Sequence, residues 1–187
     1  MSKISWKPGN MLYPLPVVMV SCTDGNGEDN VLTVAWTGTI CSDPAMLYIS
    51  VRPSRHSYHM IKETGEFVVN LTTHDLAKAT DYVGVRSGKD EDKFAAMGLT
   101  KGSCKVVKAP LIMESPVNIE CQVTQVIPLG SHDMFLAKVV NVNVSDEYMD
   151  ATGRFDLEKA DLLAYSHGTY YDLGKKLGTF GYSVRKK

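Results

Sequence analysis

Between Arg52 and Ser57 the chain reads RPSRHS, just ahead of a helix-forming run. Arg52 and Arg55 supply forked cations, and Ser54 and Ser57 supply hydroxyl donors. A helix N-terminus adds free amide donors and a partial positive charge. Together these groups suit a phosphate. The same residues also describe a capped surface helix with solvated arginines.

Upstream lies NVLTVAWTGTICSDP, residues 30–44. Alternation places Thr33, Ala35, Thr37, Thr39 and Cys41 on one face of a strand. Leu32, Val34, Trp36, Gly38 and Ile40 take the other. A core face wants bulk and a solvent face carries charge. A small, hydroxylated face suits something flat and polar-edged lying against it. Trp36 fits either a core or an aromatic wall beside a planar ligand. Lys93, within KDEDKF, and His132, opening a strand, each also read as solvated surface. Tyr165, His167, Tyr170 and Tyr171 mark a tyrosine-rich tail suited to packing or to contacts with a second copy.

Missing motifs narrow the chemistry. No serine sits in a G-x-S-x-G elbow, and no basic neighbour in sequence depresses the Cys41 thiol. Asp90 and Asp92 read as charged surface. There is no G-x-G-x-x-G after a first strand and no P-loop. Cys22, Cys41, Cys104 and Cys121 form no C-x-x-C pair. They read as reduced, packed thiols of a cytoplasmic protein, with no metal set among them. An enzyme made of these residues borrows its chemistry from a cofactor.

The elements that must position these residues are mostly strands. Residues 16–24, 31–41 and 46–51 read as consecutive antiparallel strands, separated by GNGEDN and by Asp43-Pro44. Ser54 or Ser57 caps a short helix ending at Gly65, and 66–71 is a further strand. Residues 74–83 and 90–98 read as short helices, and 103–112 as a weak strand. Residues 115–128 and 132–145 form a hairpin. In its first arm Val117, Ile119, Cys121 and Val123 alternate with Asn118, Glu120, Gln122 and Thr124, a half-buried pattern. Many strands, few short helices and no βαβ rhythm indicate a mainly β fold, a barrel with helical insertions.

Length and composition set the frame. With 187 residues the chain reads as a single domain over 1–187, whose tail from about 161 is the candidate for dimer contacts. A net charge of −1 argues against a general nucleic-acid or anionic-membrane partner. No apolar run approaches the roughly 20 residues of a membrane span. The first residues lack a signal-peptide shape, because Pro14 and Pro16 break their apolar run.

These residues resemble the flavin reductase-like FMN-binding split-barrel family, most closely its flavoredoxin-like branch. The matching run is NVLTVAWTGTICSDPAMLYISVRPSRHSYHMIKETGEFVVNL, with DKF and the tail YYDLGKKLGTFGYSV. The resemblance implies a six-stranded Greek-key split barrel that binds FMN non-covalently and works as a homodimer. It implies that Asn30, Thr33, Val34, Ala35, Trp36 and Thr37 lie beside the flavin. Arg52, Ser54, Arg55 and Ser57 then hold its phosphate, Lys93 and His132 tune the ring, and Tyr165 supplies an aromatic. The implied function is an FMN-dependent oxidoreductase carrying electrons from NAD(P)H to a small-molecule or protein acceptor. The alternatives are an electron carrier that does not oxidise nicotinamide and a non-redox FMN-binding module. T-V-A-W-T, where many flavin reductases carry T-A-S-S-F, favours the flavoredoxin branch.

Overall fold

The structure, a computed structural model, describes residues 1–185. Strand β1 (Leu15–Pro16) leads into β2 (Val18–Thr23), β3 (Asp29–Val34), β4 (Thr37–Ser42) and β5 (Ala45–Val51). Helix α1 (His56–Thr64) and strand β6 (Glu66–Leu71) follow, then helices α2 (Ala77–Val85) and α3 (Lys93–Met97). Two-residue strands β7 (Lys101–Gly102) and β8 (Leu111–Ile112) precede the long hairpin of β9 (Val117–Pro128) and β10 (Asp133–Val144). A second hairpin joins β11 (Leu163–Ser166) to β12 (Thr169–Asp172).

The principal sheet is antiparallel and has seven strands in the order β3-β2-β6-β9-β10-β5-β4. The expected six-stranded count is therefore one short, and the barrel is not closed. The run 31–41 is also not one strand. It breaks at Ala35-Trp36 into β3 and β4, which form the two opposite edges of this sheet.

That break dictates the shape. Seven strands laid flat would put the outer two about 29 Å apart, at about 4.8 Å per step. The link from Val34 to Thr37 spans at most about 10 Å. The sheet must curl until its edges nearly meet, and the gap between them is the split of the barrel. Ser50 N donates to Trp36 O at 2.8 Å, tying the link to β5.

The barrel interior holds Val18, Val20, Leu32, Val34, Ile49, Phe67 and Phe135, with Tyr58, Met60 and Ile61 of α1 packed among them. A second core lies on the opposite face of β2 and β3, where Leu76, Ala79, Val83 and Phe94 of the α2–α3 region cover Met19 and Val31. Strand β2 is thus buried at all six positions.

Helix α1 ends as expected. Gly65 takes a left-handed φ of 69° and its amide donates to Ile61 O at 2.9 Å. Its start differs. The N-cap residue is Arg55, with no side-chain cap, so the first-turn amides meet no capping side chain. Helices α2 and α3 are shorter than the ranges read from sequence. Of the weak strand over 103–112 only β8 survives, paired across a loop with β7, which lies before that range.

The β9 alternation fails at two polar positions. Asn118 and Glu120 are buried. The loop before β8 covers them: Lys105 N, Val106 N and Val107 N donate to the Glu120 carboxylate at 3.0, 2.6 and 3.0 Å. Asn141 and Asn143 add side-chain donors at 2.8 and 2.9 Å. Burial raises the carboxyl pKa, but these five donors overcome it and hold it at about 2.

Candidate functional site

A cleft opens along the split of the barrel, in two compartments that share Leu32, Arg52 and Arg55. The first has a volume of about 400 Å³. Its lip is the β3–β4 link, with Thr33, Val34, Ala35 and Trp36. Ser50 and Val51 of β5, Asp81, Gly84 and Val85 of α2, and His132 form further walls. Tyr165, Gly168 and Tyr170 of the β11–β12 hairpin complete it.

Trp36 is half-buried, and its ring lies nearly parallel to His132, with planes 10° apart and centroids 6.3 Å apart. It therefore walls the cleft and is not a core residue. His132 Nδ1 meets Ser131 Oγ at 2.9 Å. Burial, then the Arg52 and Arg55 charges, lower the His132 pKa below its ordinary value. Both causes favour the neutral ring. Gly84 lets α2 approach β3: a Cβ there would stand 2.9 Å from Thr33 Cβ.

The second compartment, of about 470 Å³, is more polar. Asn30, Ser54, Ser57, Arg86, Ser87 and Lys93 line it with the two shared arginines. Asn30 Nδ2 donates to Ser57 Oγ at 2.7 Å, joining β3 to the first turn of α1. Lys93 is almost fully buried. Its ammonium donates to Val83 O at 3.0 Å and Arg86 O at 3.3 Å, at the end of α2. An ammonium has three donors, so one remains for a ligand. Burial lowers the Lys93 pKa to about 8, so most of it is charged at pH 7.

Arg52 and Arg55 are exposed and line both compartments. Among the described residues neither is paired with a carboxylate. Two unpaired guanidiniums beside the start of α1 give this junction a positive potential that can attract an anion.

Of the residues that the resemblance places at the ligand, all line the cleft except Thr37. That residue is buried, with its hydroxyl donating to Tyr48 O at 2.6 Å. The reading of a hydroxylated ligand face is corrected more broadly. Thr33 Oγ1 donates to Thr80 O of α2, and Thr39 faces solvent. Of that face Thr33 and Ala35 line the cleft, while Thr37, Thr39 and Cys41 do not. Lys93 and His132, both expected to tune the ring, line different compartments.

The sequence reading missed Asp81, Gly84 and Arg86. Asp81 and Gly84 stand three apart on α2 and share a face, a spacing visible in the sequence. Tyr170, read as tail packing, also faces the cleft. Of the cysteines, Cys22 and Cys121 are buried, while Cys41 and Cys104 are only partly so, and all are free thiols. Among the described residues no helix is long and apolar enough to cross a membrane.

This architecture has known relatives. The chain is 32% identical over 157 residues to an uncharacterised protein of Archaeoglobus fulgidus, covering 84% of this chain and 86% of that one. Its fold matches the flavoredoxin of Desulfovibrio vulgaris (Miyazaki F) with a TM-score of 0.90 at 29% identity, over 98% of this chain and 100% of that one. It matches the flavoredoxin of Methanosarcina acetivorans with a TM-score of 0.89 at 25% identity, over 98% and 97%. The sequence profile of the flavin reductase like domain spans residues 10–174, which takes in the split, both compartments and the β11–β12 hairpin. The chain therefore belongs to the flavin reductase-like family, on its flavoredoxin branch.

Proposed function

We propose that the cleft binds FMN and that the protein is an FMN-dependent oxidoreductase, passing electrons from NAD(P)H to a small-molecule or protein acceptor. The observation that carries this reading is the junction of two unlike compartments at Arg52 and Arg55. A phosphate-bearing planar ligand needs an unpaired cationic end and a flat, partly apolar slot beside it. Arg52, Arg55, Ser54 and the α1 amides supply the first. Trp36, Val34, Ala35, His132 and Tyr165 supply the second.

When bound, FMN supplies a redox centre that no side chain offers. The chain's own residues do the rest. The arginines hold the phosphate, Trp36 and His132 align the ring, and Asn30 with Ser57 fixes α1 against β3. The remaining Lys93 donor reaches the ligand and favours negative charge there.

A second reading is an electron carrier, favoured by the likeness to two flavoredoxins. Either way we take the working unit to be a homodimer. Phe180, Leu177, Leu12 and Trp6 are largely exposed on the two terminal segments, which supports burial against a second copy. Four free thiols support a reducing, cytoplasmic setting.

The test is the visible spectrum of the purified protein, followed without oxygen as NADH and then NADPH are added. Fast bleaching of a flavin band supports the oxidoreductase. A yellow protein that bleaches only with dithionite supports the carrier. A colourless protein with no affinity for added FMN overturns both and leaves a non-flavin binding module.

A further inference from the structure

One carboxylate stands out of place. Among the described residues lining the two compartments, Asp81 is the only acid, in a cleft otherwise furnished with cations. It has no basic partner among the described ion pairs. A carboxylate here opposes the anion that Arg52 and Arg55 attract, so its presence calls for a second ligand of different charge.

Its surroundings describe that ligand. Tyr170 Oη donates to Asp81 Oδ1 at 3.1 Å, which leaves Oδ2 free. Tyr165 and Tyr170 are cross-strand partners on β11 and β12, with ring centroids 5.7 Å apart, and both line the first compartment beside Asp81. Left-handed backbone at His167 and Gly168, with φ of 49° and 79°, makes the tight turn that sets them opposite each other. Tyr13 lies behind, its ring tilted against both, with centroids 6.4 Å from Tyr165 and 4.4 Å from His167. Electron-rich ring faces around a free carboxylate oxygen suit a planar ring that carries, or acquires, positive charge.

We propose that Asp81, Tyr165 and Tyr170 form the subsite for the nicotinamide ring of the reductant, with Asp81 favouring its oxidised, cationic form. This rests on the proposed function above, which names the nicotinamide donor. The dihydronicotinamide is neutral. Its C4–H bond breaks, the hydrogen leaves with both bonding electrons for the flavin, and the ring remains as a pyridinium cation. Charge thus develops where the carboxylate and the tyrosine faces lie. Asp81 Oδ2 also accepts from the carboxamide N–H. The subsite selects planar heteroaromatic reductants that become cationic over ones that become anionic.

The test is calorimetry on the FMN-loaded protein with two non-reacting probes. These are NAD⁺, which is cationic at the ring, and its neutral 1,4,5,6-tetrahydronicotinamide analogue. Asp81→Asn keeps an acceptor for Tyr170 and removes the charge. Binding of NAD⁺ is expected to weaken about 5- to 30-fold, the equivalent of 1–2 kcal/mol. Binding of the neutral analogue changes less than about 2-fold, within the range of a neutral contact. If the wild type binds both probes and the variant binds both equally well, or both equally worse, Asp81 does not read ring charge and the subsite is overturned. If the wild type binds neither probe, the nicotinamide donor itself is wrong and the subsite falls with it.

Discussion

Trp36 and His132 stand nearly parallel in the first compartment, their planes 10° apart. They come from different parts of the sheet, one from the β3–β4 link and the other from the turn before β10. The pair can therefore hold its spacing only while the sheet keeps its curl. Burial and the charges of Arg52 and Arg55 hold the His132 pKa down. An anion that neutralises those guanidiniums removes one cause of the shift, so inorganic phosphate bound there, which lays no ring against the imidazole, should raise the pKa. Histidine NMR titration of the flavin-free protein with and without phosphate checks this. A pKa that stays put or falls places the phosphate away from Arg52 and Arg55.

The two ends of the ligand separate by mutation. Arg55→Ala removes a phosphate contact but no group at the redox ring. FMN affinity should fall roughly 10- to 100-fold, the range for one charged hydrogen bond. The potential of the bound flavin should stay nearly unchanged. Lys93→Met removes an ammonium that favours negative charge on the reduced ligand. The potential should drop by roughly 30–60 mV, about 1.5–3 kcal/mol over two electrons. Paired titrations of affinity and potential decide the matter. The reverse pattern would put Lys93 at the phosphate, together with its compartment neighbours Ser54 and Ser57.

The fold's local units were legible and its long-range joins were not. Gly65 announced the end of α1, and the apolar rhythm from Val117 to Val123 announced β9. The break at Ala35-Trp36 was hidden because alternation runs straight through it. Periodicity reports which face a residue takes, not which strand it pairs with. Asn118 and Glu120 looked like a solvent face. Their burial depends on amides from a loop that local pattern cannot place over them. The site divides in the same way. Arg52 to Ser57 is one short cluster and was readable as such. Tyr170 meets Asp81 from 89 residues away, so no local signal joined them.

Lys93 gives FMN binding a pH dependence with a fixed sign. Its pKa in the free protein is lowered to about 8 by burial. An anionic ligand favours the ammonium and raises that pKa in the complex. Affinity is then complete below pH 8 and falls as pH climbs through 8 toward the higher pKa of the complex. Folding responds in the opposite direction. Burial disfavours the charged form, so stability of the flavin-free protein rises between about pH 8 and the unfolded lysine value of about 10.4. Fluorescence titrations of FMN at pH 7 and pH 9.5 should show the loss in the wild type. Lys93→Met should flatten it. An unchanged slope in the variant would assign the pH dependence to another group.

Glu120 predicts an acid limit. Its carboxyl is held at about 2, below an ordinary glutamate value of about 4.3. A depressed pKa contributes stability above the unfolded value, and that stability is lost as pH falls from about 4.3 through 2. The contribution is roughly 2–4 kcal/mol. Glu120→Gln keeps the shape but turns an amide donor either toward Val106 N and Val107 N or toward Lys105 N and the two asparagine amides, which are donors themselves. We expect a loss of about 2–4 kcal/mol at pH 7, from unmatched buried donors and the missing charge. The urea midpoint of the wild type should drop between pH 5 and pH 3 more steeply than that of the variant. FMN affinity at pH 7 should be the same in both, since Glu120 lies outside the cleft lining. A variant as stable as the wild type would mean that the loop over β9 is held by its apolar contacts, Val107, Ala109 and Leu111 against Val68, and not by the carboxylate.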